Sequence, residues 1–182
     1  MEQDYYARFA AHHRTLIENL GPLVARVHED VLNTPELLTY LWERLVPHAQ
    51  AEEATLYRRA ATLPGGRAMV EPLIKEHEVI VARTDELGNL FEVGQDTLVR
   101  EVLHCVWELI QKHFQKEEAV LIPLLQKSET PEGFRALIEE AHGVEDELRP
   151  SDIKRVMDTD HRRIDRILAA LSVVPPSDLG QA

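Results

Sequence analysis

Two stretches of this chain are one stretch written twice. His48-Ala-Gln-Ala-Glu52-Glu53-Ala54-Thr-Leu56 returns 65 positions later as His113-Phe-Gln-Lys-Glu117-Glu118-Ala119-Val-Leu121. The His, Gln, both Glu, Ala and Leu stay in register. A second pair, His13-Arg-Thr-Leu16 and His77-Glu-Val-Ile80, repeats at an offset of 64. The chain therefore reads as two copies of one unit: a segment with a single His, then a segment with HxxxEE. A fold built from such copies must give both the same kind of setting.

The apolar pattern says what that setting is. Tyr6, Phe9, Leu16, Ile17, Leu20, Val24 and Val27 follow helical spacing, which predicts a first helix from about Asp4 to Glu29, kinked at Gly21-Pro22. Thr34-Pro35 reads as an N-cap and first helical residue. The second helix then runs to about Ala61, with a kink at Pro47. A loop at Leu63-Pro64-Gly65-Gly66 precedes a third helix over about Arg67 to Phe91. Gly94 ends it, Asp96 is a cap candidate, and a fourth helix covers about Thr97 to Gln126. A fifth opens at Thr130-Pro131 and ends near Gly143. A sixth opens after Pro150-Ser151 and fades before Pro175-Pro176. Short loops between long amphipathic helices imply an all-α, up-down four-helix bundle with two additional C-terminal helices. The division is a four-helix bundle over residues 1–128 and a helical extension over 129–182.

In a helix, positions i and i+4 share a face. His48 therefore sits over Glu52, and His113 over Glu117. The same faces carry apolar residues: Leu38, Leu41 and Leu45 beside His48; Val102, Val106, Leu109, Ile110, Val120, Leu121 and Leu124 beside His113. Val70, Leu73, Ile74, Ile80, Val81 and Leu87 accompany His77, and His13 lies with Phe9, Leu16 and Leu20. Of the neighbours His12 and His13, only one can face the core, and the apolar partners at +3, +4 and +7 select His13. Four imidazoles and two carboxylates thus point into an apolar interior. A buried, unpaired carboxylate costs several kcal/mol, so two of them beside four imidazoles call for metal ions.

Composition excludes other classes. The formal net charge is −12 and no basic stripe stands out, which argues against nucleic acid or an anionic membrane. No apolar run reaches spanning length. The single cysteine, Cys105, excludes an internal disulfide and a CxxC zinc pair. It lies beside the apolar stripe and reads as a buried structural thiol. With an acidic N-terminus lacking a signal-peptide core, the expectation is a cytoplasmic protein.

His13, His48-Ala-Gln-Ala-Glu52, His77 and His113-Phe-Gln-Lys-Glu117, spread over about residues 4 to 127, resemble the hemerythrin-like (HHE cation-binding) family. The resemblance implies a four-helix bundle with a non-haem di-iron centre: two iron ions, oxo- or hydroxo-bridged, with Glu52 and Glu117 spanning both. His13 and His48 would hold one iron, His77 and His113 the other. The chain departs from the oxygen carriers of the family. Where they place a second His one turn after the third-helix His, it has Val81, and where they use HxxxxD it has HxxxE. It is more similar to the six-ligand members that sense iron or decompose peroxide. Losing one His leaves an open position on both irons, which suits substrate binding and Lewis-acid or redox chemistry.

The remaining candidates are weaker. Glu53 and Glu118 sit off the ligand face and read as groups behind the ligands or in solvent. The ExxH pattern of ferritin-like sites occurs at Glu101-Val-Leu-His104 and Glu139-Glu-Ala-His142. His104 is out of phase with His113 and His142 sits at a helix end, so neither fits. His28 suits a helix C-terminus, and Tyr6 packs on the His13 face. Asp160-His161-Arg-Arg-Ile164-Asp165 resembles the opening of another repeat unit without its HxxxE.

Two functions compete: a protein that binds or senses iron, dioxygen, nitric oxide or peroxide, and a redox enzyme that decomposes peroxide. Storage ranks below both. The partner expected is a small diatomic or peroxide ligand, with a protein partner or homodimer engaging the C-terminal helices. His/Glu sites also accept manganese or zinc.

Overall fold

In a computed structural model, the structure describes residues 5–148. Among the described residues every regular element is helical. Helix α1 covers Tyr5–Glu29, α2 residues 34–60, α3 Gly66–Glu92, α4 residues 96–128 and α5 Pro131–Leu148. The first four form the expected bundle. Helix α5 packs across α2 and reaches α1 and the end of α4. No described helix is long and apolar enough to cross a membrane. The expected sixth helix, with His161 and Asp165, lies outside the described residues.

Helix α1 continues unbroken through Pro22. Its buried positions are Phe9, His13, Leu16, Leu20, Val24 and Val27, a three-and-four spacing that keeps one face inward. Thr34 is not the cap. Its hydroxyl is buried and donates to the Val31 carbonyl at 2.6 Å, within a 3-10 turn over Val31–Asn33 that Asp30 caps. Asn33 takes the cap position of α2, and Gln95, not Asp96, that of α4. Gly65 adopts a left-handed φ of 75°, and a Cβ on Gly66 would lie 1.8 Å from the Ala60 carbonyl oxygen. The turn into α3 therefore requires glycine at both positions.

Three π-helical turns interrupt the long helices: Leu41–Leu45 and Glu53–Tyr57 in α2, Glu117–Leu121 in α4. Two of them close just before a proline, Pro47 and Pro123. Proline has no N–H, and its ring collides with the carbonyl four residues back. Widening the turn, with Val46 N–H on Leu41 O and Ile122 N–H on Glu117 O, relieves that collision without ending the helix. One consequence is a shift of face. Val120, expected inward with His113, is exposed, while Leu121 and Ile122 are buried.

The core is two apolar clusters. One includes Leu16, Leu45, Ile80 and Ile110; the other includes Phe9, Leu56, Leu73 and Leu121, with Phe134, Ile138 and Ala141 from α5. On each bundle helix, a His or Glu of the candidate set separates a residue of one cluster from a residue of the other. A polar layer therefore crosses the bundle between two dry halves.

Candidate metal centre

The six residues singled out by the repeat all lie in that layer. His13, His48, Glu52, His77, His113 and Glu117 are none of them more than 5 % exposed. His13 Nε2 is 3.3 Å from Glu52 Oε1 and 3.5 Å from Glu117 Oε2. His48 Nε2 is 3.1 Å from Glu52 Oε1. His77 Nε2 lies 3.7 Å from Glu52 Oε2, and His113 Nε2 3.6 Å from Glu117 Oε1. Two groups have ligand atoms mutually within 4.8 Å: His13, His48 and Glu52; and Glu52, His77, His113 and Glu117. Glu52 belongs to both, and Glu117 reaches a His on each side. His12, by contrast, is half-buried and points elsewhere.

The outer nitrogens are as ordered as the inner ones. His13 Nδ1 meets Glu118 at 3.0 Å, His48 Nδ1 meets Glu145 at 3.3 Å, His77 Nδ1 meets Glu53 at 2.8 Å and His113 Nδ1 meets Glu76 at 2.9 Å. A carboxylate behind each imidazole makes Nδ1 the donor and leaves Nε2 free to coordinate. The repeat explains three of the four. Glu53 and Glu118 are equivalent positions, each serving a His of a neighbouring helix. Glu76, one residue before His77, serves His113. Its equivalent before His13 is His12, which cannot accept in that way. Glu145 of α5 fills the gap: it accepts from His48 and lies 2.9 Å from His12 Nε2.

Glu145 escapes a sequence reading, because Gly143 reads as the end of the helix. Instead α5 runs on to Leu148, and His142 is half-buried with its ring 5.1 Å from that of His12. The His at position 12, where the repeat wants Glu, was the available signal. Tyr57 was missed too. Its hydroxyl donates to Glu117 at 2.5 Å and lies 3.3 Å from His113 Nε2 and 3.5 Å from His77 Nε2. Five residues beyond Glu52, it would sit roughly 140° away on an α-helix; the π turn Glu53–Tyr57 brings it round. One further reading changes: Cys105 is exposed rather than buried. Tyr6 packs as expected, on the second cluster. His104 is exposed, as its phase required.

Electrostatics show how the layer balances its charge. Burial disfavours charged imidazoles, yet Glu52 and Glu145 raise His48 to about 10, and the bond and charge of Glu117 raise His113 to about 9. His13 is raised in the same way by Glu118 and Glu52 against burial. Burial opposes the Glu52 carboxylate, but His48 and His13 hold it well below the usual range. Protons on the imidazoles thus balance the carboxylates, where a cation would do the same. Tyr57 is pushed up by burial and by Glu117, so it keeps its proton. His48 Nε2, Glu52 Oε2 and Glu117 Oε2 are buried without a hydrogen-bond partner. All three face the interior of the layer, and unsatisfied buried atoms of this kind are rare. Imidazole and carboxylate donors with ordered outer partners fit a pair of first-row divalent metals.

The hemerythrin HHE cation-binding domain model matches residues 4–125. The chain belongs to the hemerythrin HHE family. Searches of curated proteins and of solved structures return no match. The matched span ends before α5, so Glu145 is contributed to this HHE domain from outside it.

Proposed function

We propose that this HHE protein holds two iron ions between Glu52 and Glu117 and binds a small ligand there, dioxygen, nitric oxide or peroxide, in a binding or sensing role. His13 and His48 would serve one ion, His77 and His113 the other. When bound, the pair supplies Lewis-acid positions and a redox couple.

One observation carries the small-ligand reading. An apolar cavity of about 20 Å³ adjoins the layer, lined by His48, His77 and His113 with Ile80, Val81 and Phe114. That is room for roughly one water-sized molecule. No carboxylate, lysine or arginine lines it, so it suits a neutral diatomic better than an organic substrate. Val81 is part of its lining, at the position where the oxygen carriers have a further His. The Tyr57 hydroxyl stands by the His77–His113 half alone, so the two halves differ in the donors they present.

That hydroxyl also favours the second reading, peroxide decomposition. A neutral phenol beside Glu117 can turn its one O–H from the carboxylate to a bound ligand, the arrangement that general acid chemistry needs. Metal content and the visible spectrum, recorded before and after peroxide, test both. About two irons per chain, with near-ultraviolet bands that respond to the ligand, are expected. Zinc alone, or no metal after iron loading, would end the di-iron reading. Steady oxygen release that vanishes in His113→Ala would move the function to the enzyme.

A further inference from the structure

The six inward residues are sealed from solvent, so a metal ion must cross protein to reach them. The apolar cavity is lined by imidazoles of the layer but by no carboxylate, so it offers an arriving cation no counter-charge. The opposite wall does. An open groove of about 1140 Å³ runs between α1, α2 and α5, and its lining includes His12, His142 and Glu145. Inward of it lies a small cavity of about 10 Å³, lined by the same three residues and by His48 and Glu52. His12, His142 and Glu145 are therefore the partition between the groove and the centre.

All three are metal-ligating groups. His142 Nδ1 is buried with no hydrogen-bond partner. His12, His48 and Glu145 offer ligand atoms within 4.8 Å of one another. Beyond them, the groove lining holds four carboxylates and three arginines, and Arg26 is paired with Glu36.

We propose that His12, His142 and Glu145 form a capture site for a divalent cation, through which metal is delivered to the six-ligand centre. The proposal rests on the metal-centre reading above. Two imidazoles and a carboxylate make an incomplete set that suits ferrous, manganous or zinc ions and leaves positions for departing water. Glu145 touches both His12 and His48, so rotation of one side chain carries a ligand atom from the groove side towards Glu52. Glu52 Oε1, 3.1 Å from His48 Nε2, is the next acceptor along the line. The arrangement also accounts for the break in the repeat. A glutamate at position 12 would have completed the symmetry, whereas a histidine there recruits α5 and makes the way in.

The test is the rate of metal uptake by the full chain stripped of metal. Cobalt(II) is mixed in at limiting concentration, anaerobically, and its visible absorption is followed. In His142→Ala and His142→Gln, loading is expected to slow by about tenfold or more, with final metal content unchanged. His104→Ala, altered at an exposed histidine, is expected to load at the parent rate. Parent-like rates in both His142 variants would overturn the capture site. A parent protein that takes up no metal at equilibrium would overturn the metal centre itself, which is a different result.

Discussion

Each imidazole in the layer has a carboxylate bonded at Nδ1 and another within 3.7 Å of Nε2, and that decides how the site answers to pH. In the metal-free protein His48 and His113 are raised above the ordinary 6.5, to about 10 and about 9. Charged imidazoles then stabilise the fold fully below about 6.5, and the contribution is lost as pH rises through those values. Glu52 is lowered from 4.5, so its contribution is present above that value and lost as pH falls through the lowered one. Chelated protein is thus expected to show its site contribution best between these ranges, with melting temperature falling towards pH 10. Metal inverts the trend, because Nε2 must lose its proton to coordinate. The gap between loaded and chelated melting curves should widen from pH 6.5 upward; a constant gap would contradict the reading. Tyr57→Phe removes the donor to buried Glu117. A stability loss of about 1–3 kcal/mol in the chelated protein is expected, measured by urea unfolding. A neutral result would mean that the hydroxyl carries no weight there.

At the scale of the element, turn geometry and glycine placement control which face meets the site. The π turn at Glu53–Tyr57 brings Tyr57 inward, and the one at Glu117–Leu121 turns Val120 out. Neither shift is visible to a 3.6-residue template, which is why His13, His48, His77 and His113 were legible and Tyr57 was not. Two glycines make opposite predictions. Gly66→Ala drives a Cβ into the Ala60 carbonyl and is expected to unfold the chain at lower temperature. Gly143 has open space around its would-be Cβ and sits inside α5, so Gly143→Ala should stabilise by about 0.5–1 kcal/mol. Calorimetry on both variants checks the pair. Destabilisation by Gly143→Ala would argue against a helix that runs on to Glu145.

For the whole molecule, the polar layer is both weakness and tie. It divides the core into two apolar clusters and places buried charges between them. Metal bound by the proposed set would join all four helices of the bundle, and the Glu145 bond would extend the link to α5. A ligand that binds only the folded state adds about 2.7 kcal/mol when present at a hundred times its dissociation constant. For a chain of this size that is roughly 5–10 °C in melting temperature. Scanning calorimetry with and without ferrous iron should show such a rise. Its absence, with metal demonstrably bound, would mean that the layer is equally content with protons.

Helical period and apolar face were enough to predict the bundle and its inner set. Repeated HxxxE at helical spacing leaves few ways to place His13, His48, Glu52, His77, His113 and Glu117 except facing one another, because period and apolar face are local properties of each helix. The outer set is a different matter. Glu53 and Glu118 were visible only as neighbours of the ligands, and nothing local assigned Glu53 to His77, Glu118 to His13 or Glu76 to His113. Those pairings depend on which helices lie side by side. Glu145 depends on still more: on α5 continuing past a glycine, and on its docking over His12 rather than away from it. Only packing between elements far apart in the chain decides such contacts, since the energies that select them arise from surfaces that meet after the helices have formed.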